Sequence, residues 1–176
     1  MKIYISKLDA AKRQLETAIN FFFRSGDPVS IHSLTGAAFQ ILEDICLKKG
    51  VKSFHKETLE QIKENKRVEF SRRLSEAKNF FKHADKDPEG IIEFIPETTT
   101  FFLWDACNMY KVLTTDFPPL FQTFVLYFNL KNPEILTLSI EQRMGVKKAT
   151  ENFKLDVSNP STFLQMIPLL EEMHYI

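Results

Sequence analysis

Leu8, Ala11, Leu15, Ala18, Ile19 and Phe22 recur at the i, i+3, i+4, i+7 spacing of a single helix face, which predicts an amphipathic helix from about residue 6 to 24. Ser25-Gly26-Asp27-Pro28 closes that helix and opens the next: Gly26 supplies the C-terminal turn, Asp27 the N-cap and Pro28 the first helical residue. Ile31, Leu34, Ala38, Ile41, Leu42 and Ile45 form a second stripe that runs to a basic last turn and a stop at Lys48-Lys49-Gly50. With so short a turn between them, the two helices form an antiparallel hairpin.

From Phe54 to Phe81 the pattern is more polar, with Leu59, Ile62, Phe70, Leu74, Ala77 and Phe81 as the apolar positions; it predicts a short helix and a longer one over about 67 to 82. Asp87-Pro88-Glu89-Gly90 is a turn, and Ile91 to Ile95 a short extended segment before Pro96. Thr98 to Thr114 and Pro118 to Leu130 are apolar nearly all round, which places two helices centrally. Asn132-Pro133 and Asn159-Pro160 each announce a further short helix, whereas polar Glu141 to Ser158 reads as a mobile extension. The expectation is an all-α, single-domain helical bundle over residues 1–176, with a core bundle over 1–130 and a C-terminal helical extension over 131–176, packed on its own subunit or exchanged across a dimer.

Composition refines this picture in three ways. Seventeen Phe exceed what one small core needs, so some rings are expected at a partner surface, most simply that of a homodimer. A formal net charge of zero removes any long-range field toward polyanions or anionic membranes, so nucleic-acid binding must be local. Phe117 to Leu130, the most apolar run, is too short to cross a bilayer and carries two prolines. Met1 to Lys7 lacks the apolar stretch of a signal peptide, and Cys46 and Cys107, each inside an apolar helix pattern, suit reduced thiols, so a cytoplasmic protein is expected.

Candidate chemistry concentrates at the end of the polar helix, in Ala77-Lys78-Asn79-Phe80-Phe81-Lys82-His83-Ala84-Asp85-Lys86-Asp87. Asn79 and His83, four apart, share a helix face while Phe80 and Phe81 turn toward neighbouring elements. Lys78 and Lys82 flank His83, and nearby cations disfavour imidazolium, leaving a neutral base near neutral pH. Between Lys63 and Lys86, with Arg72 and Arg73 included, Lys and Arg outnumber Asp and Glu, a local excess that suits phosphates. The plainer alternative is a helix end: His83 bonds the last carbonyls, Asp85 and Asp87 shape the turn, and the cations are a solvated face.

Lys-Asn, three residues and then His near a helix end in an all-helical bundle resembles the HEPN superfamily, whose members carry Arg, usually a polar residue, and then His. Lys78-Asn79-Phe80-Phe81-Lys82-His83 matches with Lys in the place of Arg, and the resemblance extends over the amphipathic helices of roughly residues 6 to 130. It implies one of two activities. In a metal-independent ribonuclease, His83 would be general base or acid, Lys78 would stabilise charge on the phosphate and Asn79 would orient the pair. In a non-catalytic or regulatory member, the 63–86 segment, with Lys82, Arg72, Arg73 and Asp85 contributing, would bind RNA or nucleotide. Lysine lacks the planar fork of arginine for bidentate phosphate binding, which favours the second. A third possibility, independent of the motif, is a dimeric interaction module built on the surplus Phe.

His83, Asp85 and Asp87 alternate as possible metal ligands, but no distant cluster completes a set, so no metal or cofactor is expected. Asp105, in the apolar helix with Trp104, either faces inward and holds a Lys or His of the motif, or faces outward, in solvent or paired with Lys111 or a neighbouring helix; the outward placement is the expectation. His32 is expected to pack or cap. There is no phosphate-binding glycine loop, Gly-x-Ser-x-Gly, His-Glu-x-x-His or Cys-x-x-Cys, which disfavours common nucleotide hydrolases, zinc proteases and thiol oxidoreductases.

Overall fold

The computed structural model describes residues 2–52, 75–85, 87–133 and 140–174. The chain is an all-α bundle: α1 (Lys7–Phe23), α2 (Pro28–Lys49), a helical end at 75–80, α3 (Thr98–Thr114), α4 (Pro119–Lys131), α5 (Ile140–Phe153), a 3₁₀ helix (Pro160–Gln165) and α6 (Met166–His174). Among the described residues there is no strand, and no helix is long and apolar enough to cross a membrane.

Each hairpin helix starts where a side chain satisfies its free N–H groups. Ser6 caps α1 reciprocally with Asp9, and the Asp27 carboxylate accepts the Ser30 N–H at 2.7 Å before Pro28 opens α2. Gly50, at φ 68°, ends α2 in the left-handed conformation behind Lys48 and Lys49. At the α1–α2 turn the left-handed residue is Ser25, not Gly26. Gly26 serves instead by closeness: its N–H donates to the Phe21 carbonyl at 2.8 Å, and a Cβ there would lie 2.9 Å from Phe21 Cβ.

The α1 stripe is buried as patterned at Ala11, Leu15, Ala18 and Ile19, with Phe23 rather than Phe22 reaching full burial. On α2 the buried face is broader than an aliphatic stripe, because His32, Thr35 and Gly36 join Ile31, Ala38, Phe39, Leu42 and Cys46. Helices α1 and α2 pack along each other, and α2 packs against α3. Trp104 on α3 stacks on Phe128 of α4 at 5.0 Å and donates its indole N–H to Asn129 Oδ1 at 3.1 Å.

The C-terminal part departs from expectation. Residues 140–153 form α5 rather than a loose extension, since Glu, Gln, Arg, Met, Lys and Ala dominate the run and are strong helix formers. Asn159-Pro160 opens the 3₁₀ helix as anticipated, although Asn159 makes no side-chain cap. Phe163 stacks on Phe23 at 6.4 Å and meets Tyr127 edge-on at 5.2 Å, so this segment packs on its own chain. Cys46 and Cys107 are buried free thiols, and burial raises the proton affinity of Cys107. The helix expected after Asn132-Pro133, and most of the polar region from Phe54, lie outside the described residues.

Candidate functional site

The helical segment 75–80 ends over one carbonyl: the N–H groups of Lys82 and His83 both reach Asn79 O at 3.1 Å, and Phe81 N–H reaches Ala77 O at 3.0 Å. Phe81 anchors this end, meeting the His32 ring edge-on at 5.7 Å and Phe94 at 5.1 Å. With that ring pinned, the segment presents Asn79, Phe80 and His83 to one side and Lys78 to the other.

On the outer side lies an open groove of about 760 Å³, lined by Asn79, Phe80, His83, Asp85, Asp87 and Ile91 among others. The predicted pair Asn79 and His83 thus shares one surface, and both are exposed. The predicted turn is present, with Gly90 N–H on Asp87 O at 2.9 Å. A Cβ on Gly90 would lie 2.7 Å from Asp87 Oδ2, so only glycine lets the carboxylate fold over the turn. His83, Asp85 and Asp87 do not close into a ligand set: among the described residues no three His, Cys, Asp or Glu could hold a metal ion.

Lys78 lies on the inner side. Its stem crosses α2 at Gly36, where a Cβ would lie 2.9 Å from Lys78 Cγ and 3.1 Å from Cδ, and its ammonium donates to Gln40 Oε1 at 2.8 Å. Gln40 in turn donates its amide to Asp44 Oδ1 at 3.0 Å. Burial and then the Lys82 charge lower the proton affinity of Lys78, against the opposing pull of Glu43 and Asp44. The cation of the motif is therefore turned away from Asn79 and His83 and toward another histidine.

That histidine is His32, only 2 % exposed. Its Nδ1 lies 2.8 Å from Thr99 Oγ1, and its Nε2 is buried without a hydrogen-bond partner among the described residues. The neighbouring hydroxyls of Thr98 and Thr100 donate to the carbonyls of Ile95 and Glu97, whereas Nδ1 is the only described acceptor for that of Thr99. When Thr99 donates to Nδ1 the ring carries its proton on Nε2, and when Nδ1–H donates to Thr99 the Nε2 lone pair is the buried group. Burial, followed by the charges of Lys78 and Lys82, lowers the pKa of His32 to about 4. The two lysines expected to keep His83 neutral thus act on His32.

His32, Gly36, Gln40, Glu43 and Lys78, with Phe39, Ser75 and Phe102, line a cavity of about 90 Å³ between α2 and the 75–80 segment. This inner site was only partly foreseen. Packing was the right expectation for His32; its partners Thr99, Gln40 and Lys78 were not anticipated. Gly36 carried the signal, standing mid-helix between His32 and Gln40 at four-residue intervals, where glycine costs helix stability unless another chain segment passes close.

Of the remaining candidates, Asp105 is buried at 4 % exposure rather than outward-facing, among Leu103, Ala106 and Cys107. Its position on the inner face of α3, fixed by the apolar residues on both sides, leaves the outward placement untenable. Lys82 is exposed, and Arg72, Arg73 and His55 lie outside the described residues. Comparison with protein-family models, with curated proteins and with solved structures finds no match for this chain.

Proposed function

We propose that this chain is an HEPN-like, non-catalytic module that takes an unpaired nucleobase, of RNA or of a nucleotide, into the groove beside Asn79 and His83. The observation that carries this reading is the division of the motif: Asn79, His83 and Phe80 share the groove, while the Lys78 ammonium is bonded to Gln40 on the other side. Phosphoryl chemistry needs a cation beside the imidazole where charge develops, and in this chain the motif's cation is engaged elsewhere. What remains suits a base. The Asn79 amide offers a donor and an acceptor on one edge, the carboxylates of Asp85 and Asp87 accept from exocyclic amino groups, and Phe80 presents a ring. The same carboxylates repel a bare polyphosphate, so contact through the base is favoured over contact through the backbone.

Fluorescence anisotropy with labelled oligo(A), oligo(C) and oligo(U) at low salt tests it. Binding of the amino-bearing bases should weaken about tenfold in Asn79→Ala and in His83→Ala, as loss of a base contact usually does. RNA should stay intact with chelator present. No retention of any oligomer, or retention indifferent to both substitutions, removes the reading. Cleavage that disappears with His83→Ala would establish the ribonuclease instead.

A second reading, a dimeric interaction module, draws on Ile91, which lines the same groove and is 98 % exposed, with Ile95 at 56 % nearby in the chain. Sedimentation of the native chain and of Ile91→Lys tests it: a dimer dispersed by the charge supports it, and a monomer at all concentrations removes it.

A further inference from the structure

The inner cavity presents features that neither the fold nor the groove uses. His32 is almost wholly buried and keeps one ring nitrogen, Nε2, without a partner among the described residues, a costly arrangement unless something fills it. In the tautomer in which the Thr99 hydroxyl donates to Nδ1, Nε2 is a donor. Lys78 spends one of its three N–H groups on Gln40, and the missing Cβ of Gly36 is what lets its stem reach that position. The charges that act on the His32 ring are those of Lys78 and Lys82, both positive, whereas Glu43, which also lines the cavity, and Asp44 act on Lys78. The His32 end of the cavity is therefore electropositive and offers hydrogen-bond donors. Phe39 and Phe102 add apolar walls.

We propose that this cavity binds a small carboxylate monoanion of acetate or propionate size, one oxygen taking the His32 Nε2–H and the other the Lys78 ammonium, with the short tail against Phe39 and Phe102. The volume of about 90 Å³ sets the size class, since a cavity of roughly 150 Å³ accommodates benzene. A nucleotide is far too large, so this site is separate from the groove. A carboxylate has one oxygen for each of these two residues that line the cavity, each in a charge-assisted bond. So few atoms limit the affinity to about the millimolar range.

The test is an NMR titration of the whole chain with sodium acetate at constant ionic strength, following the His32 ring nitrogens, with acetamide as a neutral match in size. Saturable shifts with acetate, and binding of acetamide at least about tenfold weaker, are expected because charge-assisted bonds are roughly twice as strong as neutral ones. Lys78→Met keeps the stem over Gly36 and removes the charge; it should weaken acetate by a similar factor. Should that variant fail to fold, Gly36→Ala displaces the Lys78 stem by its new Cβ and is expected to weaken acetate as well. Shifts linear in concentration, equal shifts with acetamide, or acetate binding unchanged in Lys78→Met would each overturn the proposal and leave the cavity to water.

Discussion

His32 and Thr99, 67 positions apart in the chain, meet in a buried hydrogen bond of 2.8 Å that ties α2 to the first turn of α3. Thr99→Val replaces the hydroxyl by a methyl of similar shape and leaves Nδ1, like Nε2, without a partner among the described residues. Stability should drop by about 1–3 kcal/mol, the usual penalty for a stranded buried polar group. Thr99→Ser should recover most of it. Urea unfolding measures both, and a Val variant within about 0.5 kcal/mol of the native chain would mean the bond carries no weight.

The same histidine predicts an acid dependence. Its pKa is about 4 when folded, against an ordinary 6.5. Between these values the unfolded chain holds a proton that the folded ring refuses, so stability falls as pH drops from about 6.5 to about 4. Above that window the group contributes nothing, and below it the penalty is complete. At 1.36 kcal/mol per pK unit the whole span is at most about 3 kcal/mol. Asp9, Asp27 and Asp156, lowered by hydrogen bonds from Ser6, Ser30 and Ser158, withdraw their stabilisation only at lower pH, as they take up protons below the ordinary carboxylate value. The difference in unfolding free energy between the native chain and His32→Gln, measured from pH 7 to 4, should therefore carry the slope; parallel curves would refute the assignment.

Elements whose signal is local were legible in the chain. Ser6 with Asp9, Asp27-Pro28 and Gly50 mark helix ends by side chains acting within a few residues, and the apolar runs of α3 and α4 left one place to put them. What was not legible depends on long-range partners. Lys78 and His83 sit five apart on one short element, and spacing alone brings them near; only Gly36 and Gln40, some forty residues upstream, decide that Lys78 turns inward. Charge alone argues for placing Asp105 outward, although the apolar residues on both sides of it already put that helix at the centre of the bundle. Polarity misled at 140–153, where strong helix formers outweigh the lack of an apolar stripe.

Gly36 and Lys78 should be coupled. Alanine in a helix interior is favoured over glycine by about 1 kcal/mol, but at position 36 its Cβ meets the Lys78 stem at 2.9 Å. Gly36→Ala alone should thus bring little or no gain, as the stem shifts and the bond to Gln40 breaks. In a Lys78→Ala background, with the stem gone, the same substitution should stabilise by about 1 kcal/mol. A double-mutant cycle on thermal unfolding reads the difference. Equal effects in the two backgrounds would show that Lys78 does not rest on Gly36.

Tyr127 offers the reverse case to Thr99. Its ring is packed edge-on against Phe22 at 5.1 Å and against Phe163 at 5.2 Å, and the Lys131 ammonium lies 5.7 Å from its centre. Its hydroxyl is buried without a partner among the described residues, at the wall of a cavity it shares with Thr99 and Lys131. The ring contacts do not need the oxygen, whereas the oxygen lost its water on folding. Tyr127→Phe keeps the former and removes the latter, so stability should stay level or rise by about 1 kcal/mol, in contrast to the loss expected when one member of a made bond is deleted. Urea unfolding that shows Tyr127→Phe clearly less stable would mean that the hydroxyl is satisfied in solution, by water or a ligand in that cavity, and that its apparent isolation is not a cost the fold bears.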